Sequence, residues 1–237
     1  MSNSHVATML SLPGNRTPAA GPSARSLLEK AVTSLEEADA AFACNTGRAA
    51  IATVMSLFRP GEGLIAPEDL QADTRRLFEY YRKQHGIPVD YLPFGKPGEV
   101  ECAVTDTTKA IYLESLPRPF SEEADIEGYA RIAKKYSLLL IVDHTRYTPI
   151  TRKPIALGAD IVIHSETHYL AGNHDVQAGL VAAKGEALCK NLAAHHHAAG
   201  AALSASESKQ IFRGLQTLPL RMKHHEENAG KRRLSGI

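Results

Sequence analysis

Short runs of apolar residues without apolar–polar alternation constrain this chain more than any other feature. LLLIV at Leu138 to Val142 and IVI at Ile161 to Ile163 look like strands buried on both faces. Further strands are expected at Leu64 to Pro67, Pro88 to Leu92, Ala110 to Leu113 and Ala178 to Ala183. Helical periodicity falls between them, over Asp73 to His85, Ile126 to Tyr136 and Glu186 to Ala199. Buried strands alternating with helices imply an α/β fold with a mostly parallel sheet covered on two sides.

Upstream, a first helix is predicted from an N-cap at Ser26, with Leu27, Leu28, Ala31, Val32 and Leu35 as its apolar stripe. Asn45-Thr46-Gly47 opens a second, carrying Ile51, Val54, Met55 and Phe58 and stopping at Arg59-Pro60-Gly61. Residues 1–24 are rich in Ser, Pro, Gly and Ala and are expected to form a loose arm. The last segment, from Ser204 to Gly230, reads as polar helix interrupted at Leu218-Pro219.

Composition narrows the function classes. A chain of 237 residues with a formal net charge of +1 offers no bulk attraction for nucleic acid or an anionic membrane. No apolar run approaches the roughly 18 residues of a membrane span, and the N-terminus lacks a secretory signal pattern. Three widely spaced cysteines suit a reducing, cytoplasmic compartment. His144, His164, His168, His174 and Asp175 gather near proposed strand ends. Adjacent helical histidines such as His195-His196-His197 point apart, so no metal site is assigned.

The candidate site lies where strands stop. In ADIVIHSETHYLAGNHD (159–175) an apolar run ends on Ser165 and Thr167, with His168 next. Strand ends open onto the ligand crevice of α/β sheets. Asp143 follows LLLIV in the same manner, either as a ligand carboxylate or as the cap of a following turn. Gly47 and Arg48 at a helix start offer backbone N–H groups to an anion, although a tight strand-to-helix turn needs the same glycine.

Four segments together resemble the transsulfuration enzymes of Cys/Met metabolism, which use pyridoxal phosphate (PLP). They are AFACNTGRAAI, LLLIVDHTRYTP, IHSETHYLAGNHD and IFRGLQTLPLRMKHHEEN, in the family's order and spacing. The resemblance implies the fold type I architecture of the aspartate-aminotransferase superfamily. A PLP-binding domain would span 25–203, and 204–237 would be the first helix of a small domain otherwise missing. It implies phosphate binding by Gly47, Arg48, Ser165 and Thr167. Asp143 would face the pyridine nitrogen, with Thr145 beside it. It also implies an amino-acid substrate and a homodimer or homotetramer.

The departures from the family pattern are specific. His168 stands where the family has the lysine that bonds covalently to the cofactor, so PLP would be held non-covalently and His168 would act as general base. Gln71 replaces the tyrosine that stacks on the ring. Arg118 replaces an asparagine near the substrate carboxylate and is itself a candidate carboxylate ligand. The Tyr-x-Arg of the N-terminal arm has no counterpart near Thr17 to Ala19. Two readings stay open: a PLP-dependent protein of cystathionine, homocysteine or activated-homoserine chemistry, or a catalytically degenerate paralogue serving in binding or subunit interaction.

Overall fold

The computed structural model describes residues 22–116, 123–165, 169–173 and 175–235. Its elements are α1 (Ala24–Glu36), β1 (Ala40–Cys44), α2 (Gly47–Met55), β2 (Gly63–Pro67), α3 (Ala72–His85), β3 (Val89–Leu92) and α4 (Pro97–Cys102). They continue with β4 (Thr108–Glu114), α5 (Ile126–Tyr136), β5 (Leu139–Asp143), β6 (Ile161–Ser165), β7 (Gly179–Ala183), α6 (Glu186–Ala198) and α7 (Ala205–Ser235). One sheet in the order β1-β7-β6-β5-β4-β2-β3 takes in all seven strands. β7 is antiparallel to both neighbours and the other pairs are parallel, so six strands end at the same edge.

The two-residue side-chain period of each strand sorts the sheet into two cores. Leu140, Val142, Val162, Ile111 and Leu113 face a layer that includes Leu28 and Val32 of α1, Tyr129 and Ile132 of α5, and Ile211 and Leu215 of α7. Ile141, Ile161, Ile163, Ala110 and Tyr112 face the opposite layer, with Ile51, Val54 and Met55 of α2 and Phe78 of α3. Continuing the same period past the apolar runs puts Glu114, Asp143 and Ser165 on the second face.

Several expectations shift. The first helix is capped by Ser23, whose hydroxyl accepts from the Ser26 amide, so Ser26 lies inside the helix and does not cap it. The second ends at Met55, earlier than the Pro-Gly signal, because the Leu57 and Phe58 amides turn back to the Val54 and Met55 carbonyls and tighten the chain out of the helix. α4 was not anticipated; six residues are too few to carry an apolar period. The interruption expected at Leu218-Pro219 is absent, and α7 runs through Pro219. Ile211, Leu215, Leu218 and Met222 stay buried along one stripe across it, so packing outweighs the lost proline donor.

Candidate functional site

The start of α2 presents open backbone donors. Thr46 is its extended N-cap, and the Thr46 hydroxyl accepts from Ala49 N at 3.0 Å. The Ala50 amide bonds to the Thr46 carbonyl. Among the described residues nothing accepts from the amides of Gly47 and Arg48, which leaves them with the positive end of the helix dipole for an incoming anion. Side-chain-free backbone makes this approach possible. A Cβ on Gly47 would sit 3.0 Å from both Cβ and Oγ of Ser165, and one on Gly179 would sit 2.5 Å from the Thr46 carbonyl oxygen.

Asp143 is the last residue of β5 and is buried. The Tyr112 hydroxyl donates to its Oδ2 at 3.1 Å and the Thr145 amide to its Oδ1 at 3.0 Å. Each carboxylate oxygen keeps acceptor capacity beyond that one bond. Thr145 in turn accepts from Ser165 N at 3.0 Å, tying the turn after β5 to the end of β6. Tyr112 is fixed by an edge-on contact with Phe78, 4.9 Å between ring centroids. Burial and the neighbouring Asp143 carboxylate push its phenol well above the usual range, so it stays a donor.

Glu114, the last residue of β4, lies in register beside Asp143. Its Oε1 accepts from Gln71 N at 3.1 Å, while Oε2 is buried without a partner among the described residues. Burial, followed by the Asp143 charge, pushes its pKa up to about 8. Two adjacent carboxyls thus divide the roles, with Glu114 keeping its proton near neutral pH.

The start of α2 and the ends of β5 and β6 surround one cavity of about 210 Å³, lined by Thr46, Gly47, Arg48, Gln71, Asp143, Thr145 and Ser165 among others. Of the residues singled out from the sequence, Gly47, Arg48, Asp143, Thr145 and Ser165 therefore come together. His168, Thr167, Arg118, His174 and the arm around Thr17 to Ala19 lie outside the described residues. A larger open depression of about 550 Å³ runs along α1 by Lys30, Thr33 and Glu37, but it is away from the strand ends.

Sequence reasoning passed over Tyr112, Glu114 and Thr46 as site groups. The signal for the first two was a polar pair two residues apart at the end of an apolar strand.

Three buried histidines serve the scaffold. His164, one residue from Ser165, points to the opposite face and pairs with the buried carboxylate of Glu36 in α1. Nδ1 of His144 lies 2.8 Å from the Ser115 hydroxyl, and Nε2 lies 3.1 Å from the Arg152 carbonyl oxygen. Burial lowers the His144 pKa to about 3. His196 Nε2 sits 3.1 Å from the Ala43 carbonyl oxygen.

A mostly parallel sheet with an acid ending one central strand, and a helix N-terminus facing a hydroxyl at the end of the next, defines the class of fold type I PLP enzymes. The chain belongs to the Cys/Met metabolism PLP-dependent enzyme family, whose profile matches residues 18–232. Membership implies pyridoxal phosphate as cofactor.

Over 205 residues the chain is 45% identical to a cystathionine gamma-synthase/O-acetylhomoserine (thiol)-lyase of Bacillus subtilis, covering 86% of this chain and 55% of that protein. It is 41% identical over 206 residues to a cystathionine gamma-synthase of Haemophilus influenzae, covering 86% and 56%. The structure resembles that of a cystathionine gamma-lyase from Lactobacillus plantarum complexed with L-serine. The TM-score is 0.86 at 40% identity, covering 89% of this chain and 55% of that one. The chain thus spans about half the length of the relatives it matches.

The cavity suits this cofactor at two of its three polar points. The unpaired amides of Gly47 and Arg48 with the Ser165 hydroxyl suit a phosphate, and Asp143 suits a protonated ring nitrogen. The resemblance puts the third, the covalent anchor, at position 168, which lies outside the described residues. On the wall, Gln71 provides an amide where the resemblance expects an aromatic ring.

Proposed function

We propose that this chain is a PLP-dependent transsulfuration-type protein of sulfur amino-acid metabolism, acting on cystathionine, homocysteine or an activated homoserine. The observation that carries this reading is the single cavity joining Asp143 to Gly47, Arg48 and Ser165. Gly47, Arg48, Ser165 and Thr167 would hold the phosphate, and Asp143 would hold the ring nitrogen. Bound PLP supplies an electron sink for a carbanion at the substrate α-carbon.

Tyr112 and the Thr145 amide keep the Asp143 carboxylate oriented, and the proton retained on Glu114 spares it a second adjacent negative charge. His168 would accept the α-proton on an imidazole nitrogen and return it, in place of a lysine amine. Arg118 would bind the substrate carboxylate. The protein would work in the cytoplasm as a homodimer or homotetramer.

A second reading, cofactor binding without turnover in a degenerate paralogue, is favoured by Gln71 on the cavity wall. That side chain gives up the stacking surface of a ring.

Titration of the purified protein with PLP tests the first reading, followed by L-cysteine, cystathionine or O-acetylhomoserine. Absorbance reports binding, and release of pyruvate or 2-oxobutyrate reports turnover. Saturable binding lost in Asp143→Ala, with turnover lost in His168→Ala, is the expected result. Binding without turnover selects the second reading, and no spectral change at any PLP concentration overturns both.

A further inference from the structure

The motif IFRGLQTLPLR, which the cavity does not use, places a clasp on the connection between β6 and β7. Arg221 of α7 donates from Nη1 to the Tyr169 carbonyl at 2.6 Å and from Nη2 to the Leu170 carbonyl at 3.3 Å. The same guanidinium is braced within its own helix. Nη2 reaches the Gly214 carbonyl at 2.9 Å and Nε the Thr217 hydroxyl at 3.1 Å. Four donors of one rigid planar group are therefore engaged, two of them on consecutive backbone carbonyls of another segment.

Two glycines let the clasp close. Gly214 turns bare backbone to the connection, and a Cβ there would lie 2.0 Å from the Ala171 carbonyl oxygen. Gly172 is left-handed at φ +73°, and its Cβ would lie 3.0 Å from Cζ of Arg221. Leu170 and Ala171 are buried. Both ends of this connection border the cavity, through Ser165 at the end of β6 and Gln177 with Ala178 before β7. Arg221 itself does not line it.

We propose that Arg221 is a positioning residue. By fixing Tyr169 to Ala171 against α7, it sets where Ser165 and Gln177 stand in the cavity wall and couples the state of α7 to ligand affinity. Loop segments without such bonds to their backbone open locally at low free-energy cost, so removing the clasp frees the connection and leaves the central sheet intact.

The test compares the full chain with Arg221→Ala and Arg221→Lys, using Arg82→Ala, in an exposed helix pair, as control. The first measurement is hydrogen exchange of amides in 169–178 without added ligand. Arg221→Ala is expected to speed it by about tenfold or more while β4 and β5 stay protected, the loss of roughly one charge-assisted bond network. The second is affinity for PLP and for inorganic phosphate, read by absorbance and calorimetry below the unfolding temperature. Arg221→Ala is expected to weaken PLP about tenfold, and Arg221→Lys to fall between it and wild type because one ammonium cannot span both carbonyls.

Unchanged exchange in folded Arg221→Ala overturns the proposal. Faster exchange with unaltered affinity also overturns it, reducing Arg221 to scaffolding. The affinity measurement rests on the proposed PLP function and the exchange measurement does not. If wild type binds neither probe, that function fails alone, and exchange at Ser165, Gln177 and Ala178 decides the positioning role. If the alanine variant does not fold, the lysine variant carries both measurements.

Discussion

At the residue scale, Asp143, Glu114 and His144 lie within two neighbouring strand ends, yet burial treats them differently. Glu114 is a carboxyl raised to about 8 from an ordinary 4.5, so the native state binds its proton more tightly than the unfolded chain does. Its contribution is therefore favourable at low pH and declines as pH rises from about 4.5 to 8. His144 has the opposite consequence. Lowered to about 3 from 6.5, it is neutral in the folded protein, and stability is lost as pH falls through that interval. Urea denaturation of Glu114→Gln is expected to gain on wild type by about 2–4 kcal/mol at pH 8 and by little at pH 5. His144→Asn should lose less stability than wild type between pH 6 and pH 4. A Glu114→Gln variant whose gain is the same at both pH values would remove the raised carboxyl from the account.

At the element scale, the N-terminus of α2 is a candidate site because its cap is incomplete. Thr46 satisfies one amide and leaves two, which is unfavourable without an anion and favourable with one. Thr46→Ala should cost about 1 kcal/mol of stability, measured by chemical denaturation. Gly47→Ala should abolish anion affinity in calorimetry and cost some stability in the same denaturation, since its Cβ presses on Ser165. In α7 the proline within the helix is tolerated because a buried stripe spans it. Pro219→Ala is accordingly expected to raise the thermal midpoint, with about 1–3 kcal/mol gained at most.

For the whole molecule, the sheet order decides which groups meet. β4, β5 and β6 are adjacent and parallel, so Glu114, Asp143 and Ser165 end at one edge. β7 is antiparallel and so begins there, bringing Gln177 and Ala178. The cavity consequently depends on a sheet held by two cores. Leu140→Ala, in the core facing away from the cavity, should cost about 2–5 kcal/mol in urea denaturation. It should leave PLP affinity near wild type under folding conditions.

The sequence by itself determined the class of fold and the candidate ligands. Apolar runs without alternation announce buried parallel strands, and Asp143, Ser165 and Gly47 stand at junctions where a strand stops or a helix starts. Those are local properties, written in consecutive residues. Only the tertiary structure decided that Tyr112 serves Asp143, that Glu114 keeps its proton, and that His164 turns away from Ser165 to Glu36. It also carried α7 through Pro219 and laid Arg221 on the carbonyls of Tyr169 and Leu170. Desolvation, register and long-range hydrogen bonding depend on which strands become neighbours, and no window of sequence contains that information.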